Sequence, residues 1–134
     1  MANFNDLIGK PFKPHGRSMQ EGFDCYGLSK EVFRRYGTEI PEYDADYRDM
    51  DKINALVEEH EREPVWKKID EPVVPCLITI RFGSPVGVVN HTAVYIGDGQ
   101  FIHARERVGV CIDRISSMAW KHVIVGFYEY VGDK

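Results

Sequence analysis

Residues 90–104 read Asn90-His91-Thr92-Ala93-Val94-Tyr95-Ile96-Gly97-Asp98-Gly99-Gln100-Phe101-Ile102-His103-Ala104. Two β-branched and aromatic runs, 92–96 and 100–103, flank Asp98-Gly99, a dipeptide that accepts the backbone of a tight hairpin turn. A hairpin turning at residues 98 and 99 pairs positions that sum to about 197, which sets His91 near Glu106, a few residues past His103. His91 and His103 are 103 − 91 = 12 residues apart and both odd-numbered. An undisturbed hairpin is therefore expected to point both imidazoles to one sheet face, where one ring can orient the other.

Further short apolar runs at 77–82, 109–112 and 123–128 extend this into a sheet of about five strands. Upstream the period changes. Cys25, Leu28, Ser29, Val32, Phe33 and Tyr36 recur at helical spacing, and Lys30, Glu31, Arg34 and Arg35 fill the opposite face. Asp24 suits the N-cap and Gly37 the position past the end, so a helix is predicted between them. A short helix is expected over residues 4–8, a loop over 10–22 and another over 41–47. A second helix opens at Asp49 or Asp51, carries Ile53, Leu56 and Val57, and stops before Pro64. Helices followed by strands give an α+β fold, with the helices packed on a C-terminal antiparallel sheet. Nothing marks a boundary, so residues 1–134 read as a single domain.

With 134 residues, 43% of them hydrophobic, the chain can bury a core without staples. Seventeen basic against 21 acidic residues give a net charge of −4 with both signs spread along the chain. That argues against nucleic acid or a membrane surface as partner. No apolar run approaches the roughly 18 residues of a membrane span. The first residues carry no signal-peptide pattern, so a cytoplasmic product is expected as synthesised. Three widely spaced cysteines do not describe a disulfide framework, and each needs its own explanation.

Cys25 stands at the start of the predicted helix, where the macrodipole and unpaired N–H groups favour a thiolate and could hold an oxyanion. The bland reading is a small core hydrophobe. A nucleophilic thiol needs a base, itself oriented by a third polar group, and His91 with His103 offer that pair. The same three residues could instead hold zinc, with a fourth ligand from Asp24, His15 or Glu106. No pair among them has the usual ligand spacing, so no metal and no cofactor is expected. Cys76 and Cys111 read as core packing, His60 as part of a solvated acidic face, and His122 as unassigned. Arg17, in the His15-Gly16-Arg17 loop leading to Cys25, could fork onto an anionic substrate group.

Phe23-Asp24-Cys25-Tyr26-Gly27-Leu28 resembles the nucleophile motif of the NlpC/P60 cysteine peptidases, and residues 90–104 resemble their base-bearing segment. The likeness runs from about Asp6 to Tyr130 in the family's order of helix, cysteine, histidine, histidine. His15-Gly16-Arg17, Gly37-Thr38-Glu39-Ile40-Pro41-Glu42-Tyr43 and Val125-Gly126-Phe127-Tyr128-Glu129-Tyr130 resemble the stand-alone form associated with phage tails and prophages. The resemblance implies a papain-like α+β fold and hydrolysis of peptidoglycan stem peptides, commonly between γ-D-glutamate and a diamino acid. It implies Cys25 as nucleophile, His91 as base and His103 as its orienting residue, without a cofactor. Asp24 matches an acidic position that holds a substrate's free amine in some members. Tyr26 stands where many have serine, and Phe12 where many have a tyrosine near the oxyanion site. Asp24, Tyr26 and Phe12, with His15 and Arg17 of the preceding loop, are the candidate substrate-binding positions. Phage tail proteins are the implied partners, with delivery in a virion tail or release at lysis. An amidase, thioesterase or acyltransferase, or a structural tail module, would use the same fold.

Overall fold

The helix that begins at Cys25 is bounded by chemistry written in its flanks. The Asp24 side chain accepts the Gly27 N–H at 2.6 Å and serves as N-cap, and Gly37 lies beyond the C-cap Tyr36 with φ +92°. Such a residue is favoured there because a Cβ is strained at positive φ. In the computed structural model, residues 4–41, 66–81 and 91–132 are described. The expected second helix, His60 and most of the expected 41–47 loop fall outside these residues.

Nine elements run in the order β1 (Arg17–Ser18), β2 (Gly22–Phe23), α1 (Cys25–Arg35), β3 (Trp66–Ile69), β4 (Cys76–Ile80), β5 (His91–Gly97), β6 (Gln100–Arg105), β7 (Gly109–Arg114) and β8 (Ile124–Tyr130) among the described residues. Strands β3 to β8 form one sheet in the order β3-β8-β4-β5-β6-β7, antiparallel at every pairing. The α+β fold is as expected, with six strands in this sheet instead of five. The extra one, β3, pairs Trp66 with Tyr130, and its two exposed lysines hid it from a hydrophobic pattern.

Three local expectations are corrected. Residues 4–8 close a hydrogen-bonded turn, with Leu7 and Ile8 N–H both on the Phe4 carbonyl, and propagate no helix. The 10–22 loop ends in a small hairpin, β1 pairing Arg17 with Phe23 and Ser18 with Gly22. Glu31, expected on the solvated helix face, is buried, held by Arg34 and by Arg35 Nε at 2.9 Å.

Two cores lie on the two sheet faces. Leu28, Val32 and Phe33 of α1 pack with Phe23, Leu77, Val94, Ile102 and Ala104 on one side. Ile78, Ile80, Ala93, Phe101 and Trp120 close the other. Strand β4 is buried along its whole length, which explains its continuous apolar run. Each such side chain contributes roughly 1.5–3 kcal/mol relative to exposure.

The register of β5 against β6 decides the placement of the histidines. Gly97 faces Gln100, which sums to 197, but Tyr95 faces Phe101 and Val94 faces Ile102, which sum to 196. A bulge at Ile96 makes the difference. Without it an odd sum would pair odd with even positions and send His91 and His103 to opposite faces. The expected common face is realised, but the bulge and not the undisturbed hairpin produces it. Continued, this register sets His91 level with Arg105 and not Glu106.

The start of α1 is docked by close backbone approach. A Cβ on Gly27 would fall far inside van der Waals contact with the Gly16 carbonyl oxygen, and 2.9 Å from the Arg17 guanidinium. Gly27→Ala should therefore lower the unfolding free energy by roughly 1–3 kcal/mol in urea denaturation, although alanine is the better helix former. Asp24→Ala should cost about 2 kcal/mol by removing both the cap and the Arg17 ion pair, and Asp24→Asn should recover the larger part.

Candidate active site

Cys25 is the first residue of α1 and is 7% exposed. The N–H and hydroxyl of Thr92 and the N–H of Tyr26 lie near its sulfur and favour the thiolate. Ser29, one turn along, donates to the Cys25 carbonyl at 3.0 Å and meets the Thr92 hydroxyl at 3.1 Å. The nucleophile candidate is thus pinned to the residue next to His91. Burial, reinforced by the Asp24 carboxylate, outweighs the three donors and pushes the Cys25 thiol up to about 11. Burial here works against the thiolate that the helix position favours.

The His91 Nε2 lies 2.8 Å from His103 Nδ1, and His103 Nε2 lies 2.7 Å from the Asp113 carboxylate. Burial, then the neighbouring His103 and Arg105, hold His91 well below the ordinary imidazole range. Burial also lowers His103, against the opposing pull of Asp113. Both rings are therefore neutral, and the tautomers follow from the last link. A carboxylate only accepts, so His103 carries its proton on Nε2 and presents a lone pair at Nδ1. His91 must then donate from Nε2, which leaves its Nδ1 as an unprotonated nitrogen. The row ends in an unprotonated imidazole nitrogen. Trp120 walls the pair, edge-on to His103 at 4.9 Å between centroids and stacked at 6.4 Å from His91, with the Arg105 guanidinium 5.4 Å from the indole centre.

The remaining candidates are more scattered. Asp24 is buried, its Oδ1 shared between the Gly27 N–H and Arg17 Nη1 at 2.7 Å. Arg17 also donates to the Gly16 carbonyl. Tyr26 donates to the Pro41 carbonyl at 2.5 Å. Phe12 bridges Phe23 and is half-buried, His15 is exposed at φ +61°, and His122 is exposed. Cys76 is fully buried, as expected of core packing. Cys111 corrects the same expectation, since it is half-buried with its sulfur 3.6 Å from His103 Nε2. Asp113, Thr92 and Trp120 were not singled out from sequence. The signal for Asp113 was present: in Gly109-Val110-Cys111-Ile112-Asp113-Arg114, Cys111 and Asp113 alternate with apolar neighbours on the parity that faces His103.

Residues 9–129 match the family model described as the NlpC/P60 family. The chain is 30% identical over 134 residues to gamma-DL-glutamyl hydrolase of Bacillus subtilis, covering 99% of this chain and 30% of that protein. It is 28% identical over 122 residues to murein DD-endopeptidase MepS/murein LD-carboxypeptidase of Escherichia coli, covering 90% and 56%. The chain therefore spans under a third of the one relative and little more than half of the other. Among solved structures, an NlpC/P60 family protein from Bacillus cereus superposes with a TM-score of 0.65 at 28% identity, covering 92% of this chain and 36% of that one. The NlpC/p60 domain of peptidoglycan hydrolase SagA shares the fold with a TM-score of 0.58 at 22% identity, covering 92% and 89%. The family match spans the helix, the hairpin and the histidine row, and the chain belongs to the NlpC/P60 family.

Proposed function

We propose that this chain is a cysteine peptidase that hydrolyses peptide bonds of bacterial peptidoglycan stems, at the bond between a γ-D-glutamyl residue and a diamino acid. The observation that carries the reading is the row Asp113–His103–His91, whose tautomers leave a base beside the strand residue that holds the Cys25 sulfur. The names of the relatives, a gamma-DL-glutamyl hydrolase and a murein endopeptidase, support the substrate class. The likeness of three short stretches to phage-tail members supports delivery by a phage tail, with tail proteins as partners.

Catalysis begins with a neutral thiol. His91 Nδ1 takes the Cys25 proton as the sulfur attacks the scissile carbonyl, and the imidazolium that forms is stabilised through His103 by Asp113. The Asp24 cap takes the Gly27 N–H, so the Cys25 N–H at the helix start is the donor that this mechanism offers to the oxyanion. The imidazolium then protonates the departing amine, leaving a thioester. A water deprotonated by His91 hydrolyses it to the free carboxylate and restores the thiol.

Cys25→Ala and Cys25→Ser should each abolish product formation from purified muropeptides, read by mass spectrometry, with the far-ultraviolet dichroism unchanged. Activity surviving in Cys25→Ala overturns the assignment. His91→Ala should be nearly inactive in single-turnover assays, whereas His103→Asn, which keeps an acceptor for His91, should lose about 10²-fold to 10⁴-fold. Reversal of that order would exchange the two roles.

The depressed His91 sets the pH profile. Its base form persists below the ordinary imidazole value of 6.5, so the acid limb of kcat/KM should fall below pH 6.5. Alkylation of Cys25 by iodoacetamide should climb steadily from pH 7 to 9, about tenfold per unit, because the thiol titrates near 11. A rate already flat at neutral pH would show that the resting sulfur is a thiolate.

A further inference from the structure

Cys111 lies directly across the β6–β7 ladder from His103, with Asp113 two residues along on the same face. Three ligand types converge there. The Cys111 sulfur is 3.6 Å from His103 Nε2 and 3.8 Å from Asp113 Oδ2, and those two atoms are 2.7 Å apart. A tetrahedral zinc with bonds of about 2.0–2.3 Å has edges of roughly 3.6 Å to sulfur and 3.3 Å between nitrogen and oxygen. The two sulfur edges already fit, and only the nitrogen–oxygen edge must open. Asp113 is 31% exposed and Cys111 half-buried, so solvent supplies both an entry path and a fourth ligand. One thiolate, one carboxylate and one neutral imidazole exactly offset a divalent charge, and this mixture suits zinc better than hard cations.

We infer that His103, Cys111 and Asp113 form an inhibitory site for a thiophilic divalent metal, represented by Zn²⁺. The inhibition rests on the proposed catalytic reading, and the binding does not. On binding, Cys111 releases its thiol proton to solvent and His103 gives up its Nε2 proton, because the metal takes that lone pair. His103 must then carry its proton on Nδ1, received from His91 Nε2. His91 in turn is protonated on Nδ1 by solvent. The histidine pair holds two protons before and after, and one proton leaves in all. The tautomers have reversed, and His91 Nδ1, the base of the proposed mechanism, no longer has a lone pair to accept a proton. Such a metal is a brake and not a requirement, so chelators should leave the free enzyme active.

The test begins with Co²⁺ added to Cys25→Ala protein, which removes the thiol of the proposed nucleophile while Cys76 stays fully buried. A one-to-one thiolate-to-cobalt charge-transfer band, abolished by added Zn²⁺, is expected. It should vanish in Cys25→Ala/Cys111→Ala and weaken in Cys25→Ala/Asp113→Asn, with folding checked by dichroism. In parallel, Zn²⁺ inhibition of muropeptide hydrolysis is compared in wild type and Cys111→Ala, each against its own metal-free rate. The inhibition constant should rise by about 10-fold or more in the variant. A band that persists without Cys111, no band in Cys25→Ala, or equal zinc sensitivity in the two enzymes overturns the inference. Absence of hydrolysis altogether would count against the catalytic reading and leave the cobalt spectrum to decide the site.

Discussion

A one-residue register shift in the β5–β6 hairpin fixes everything that the site can do. Side chains alternate across a strand with a period of two, so facing is an all-or-none property. The bulge at Ile96 changes the pairing sum from odd to even, and by that parity His91 and His103 come onto one face at 2.8 Å. The β6–β7 ladder, regular along its length, then adds Asp113 on the same face. Three consecutive strands thus supply the base row, and only the nucleophile comes from elsewhere in the chain.

Burial gives that row its electrostatic character. His91 and His103 sit against Trp120 and Phe101, where a lone positive charge loses its hydration, and Arg105 adds repulsion. Cys25 is subject to the same penalty with the opposite sign of charge. The site therefore rests uncharged at sulfur and imidazole, and charge separation waits for a substrate whose developing oxyanion and leaving amine give it a destination. Asp24 belongs to this balance twice over, since it caps and fastens the helix while opposing negative charge on the sulfur beside it.

Much of this was legible in the residues. The helix from Cys25, its Asp24 cap, the central strands and the pair of histidines were each carried by a period or a flanking residue. What escaped has physical reasons. Strands β1 and β2 are two residues each, too short to show alternation, and β3 presents lysines where a pattern search looks for apolar residues. The burial that opposes a Cys25 thiolate was not legible because helix position is local, whereas desolvation depends on β5 packing over the helix start. Glu31 was misplaced for a similar reason: a carboxylate held by two arginines is stable where one alone is not. Asp113 shows in the sequence only as an alternation on β7, and its meaning depends on the β6–β7 register that sets it beside His103.

Trp120 gives the histidine row an optical consequence. An imidazolium in contact with an excited indole quenches its emission, whereas a neutral ring does so weakly. The Trp120 ring lies beside both histidines on one sheet face, while Trp66 meets Phe33 and Tyr130 edge-on in the core on the other. One indole therefore senses the charge of the row and the other is shielded from it by the sheet. The protein carries a built-in fluorescent gauge of its own proton inventory, with an internal reference.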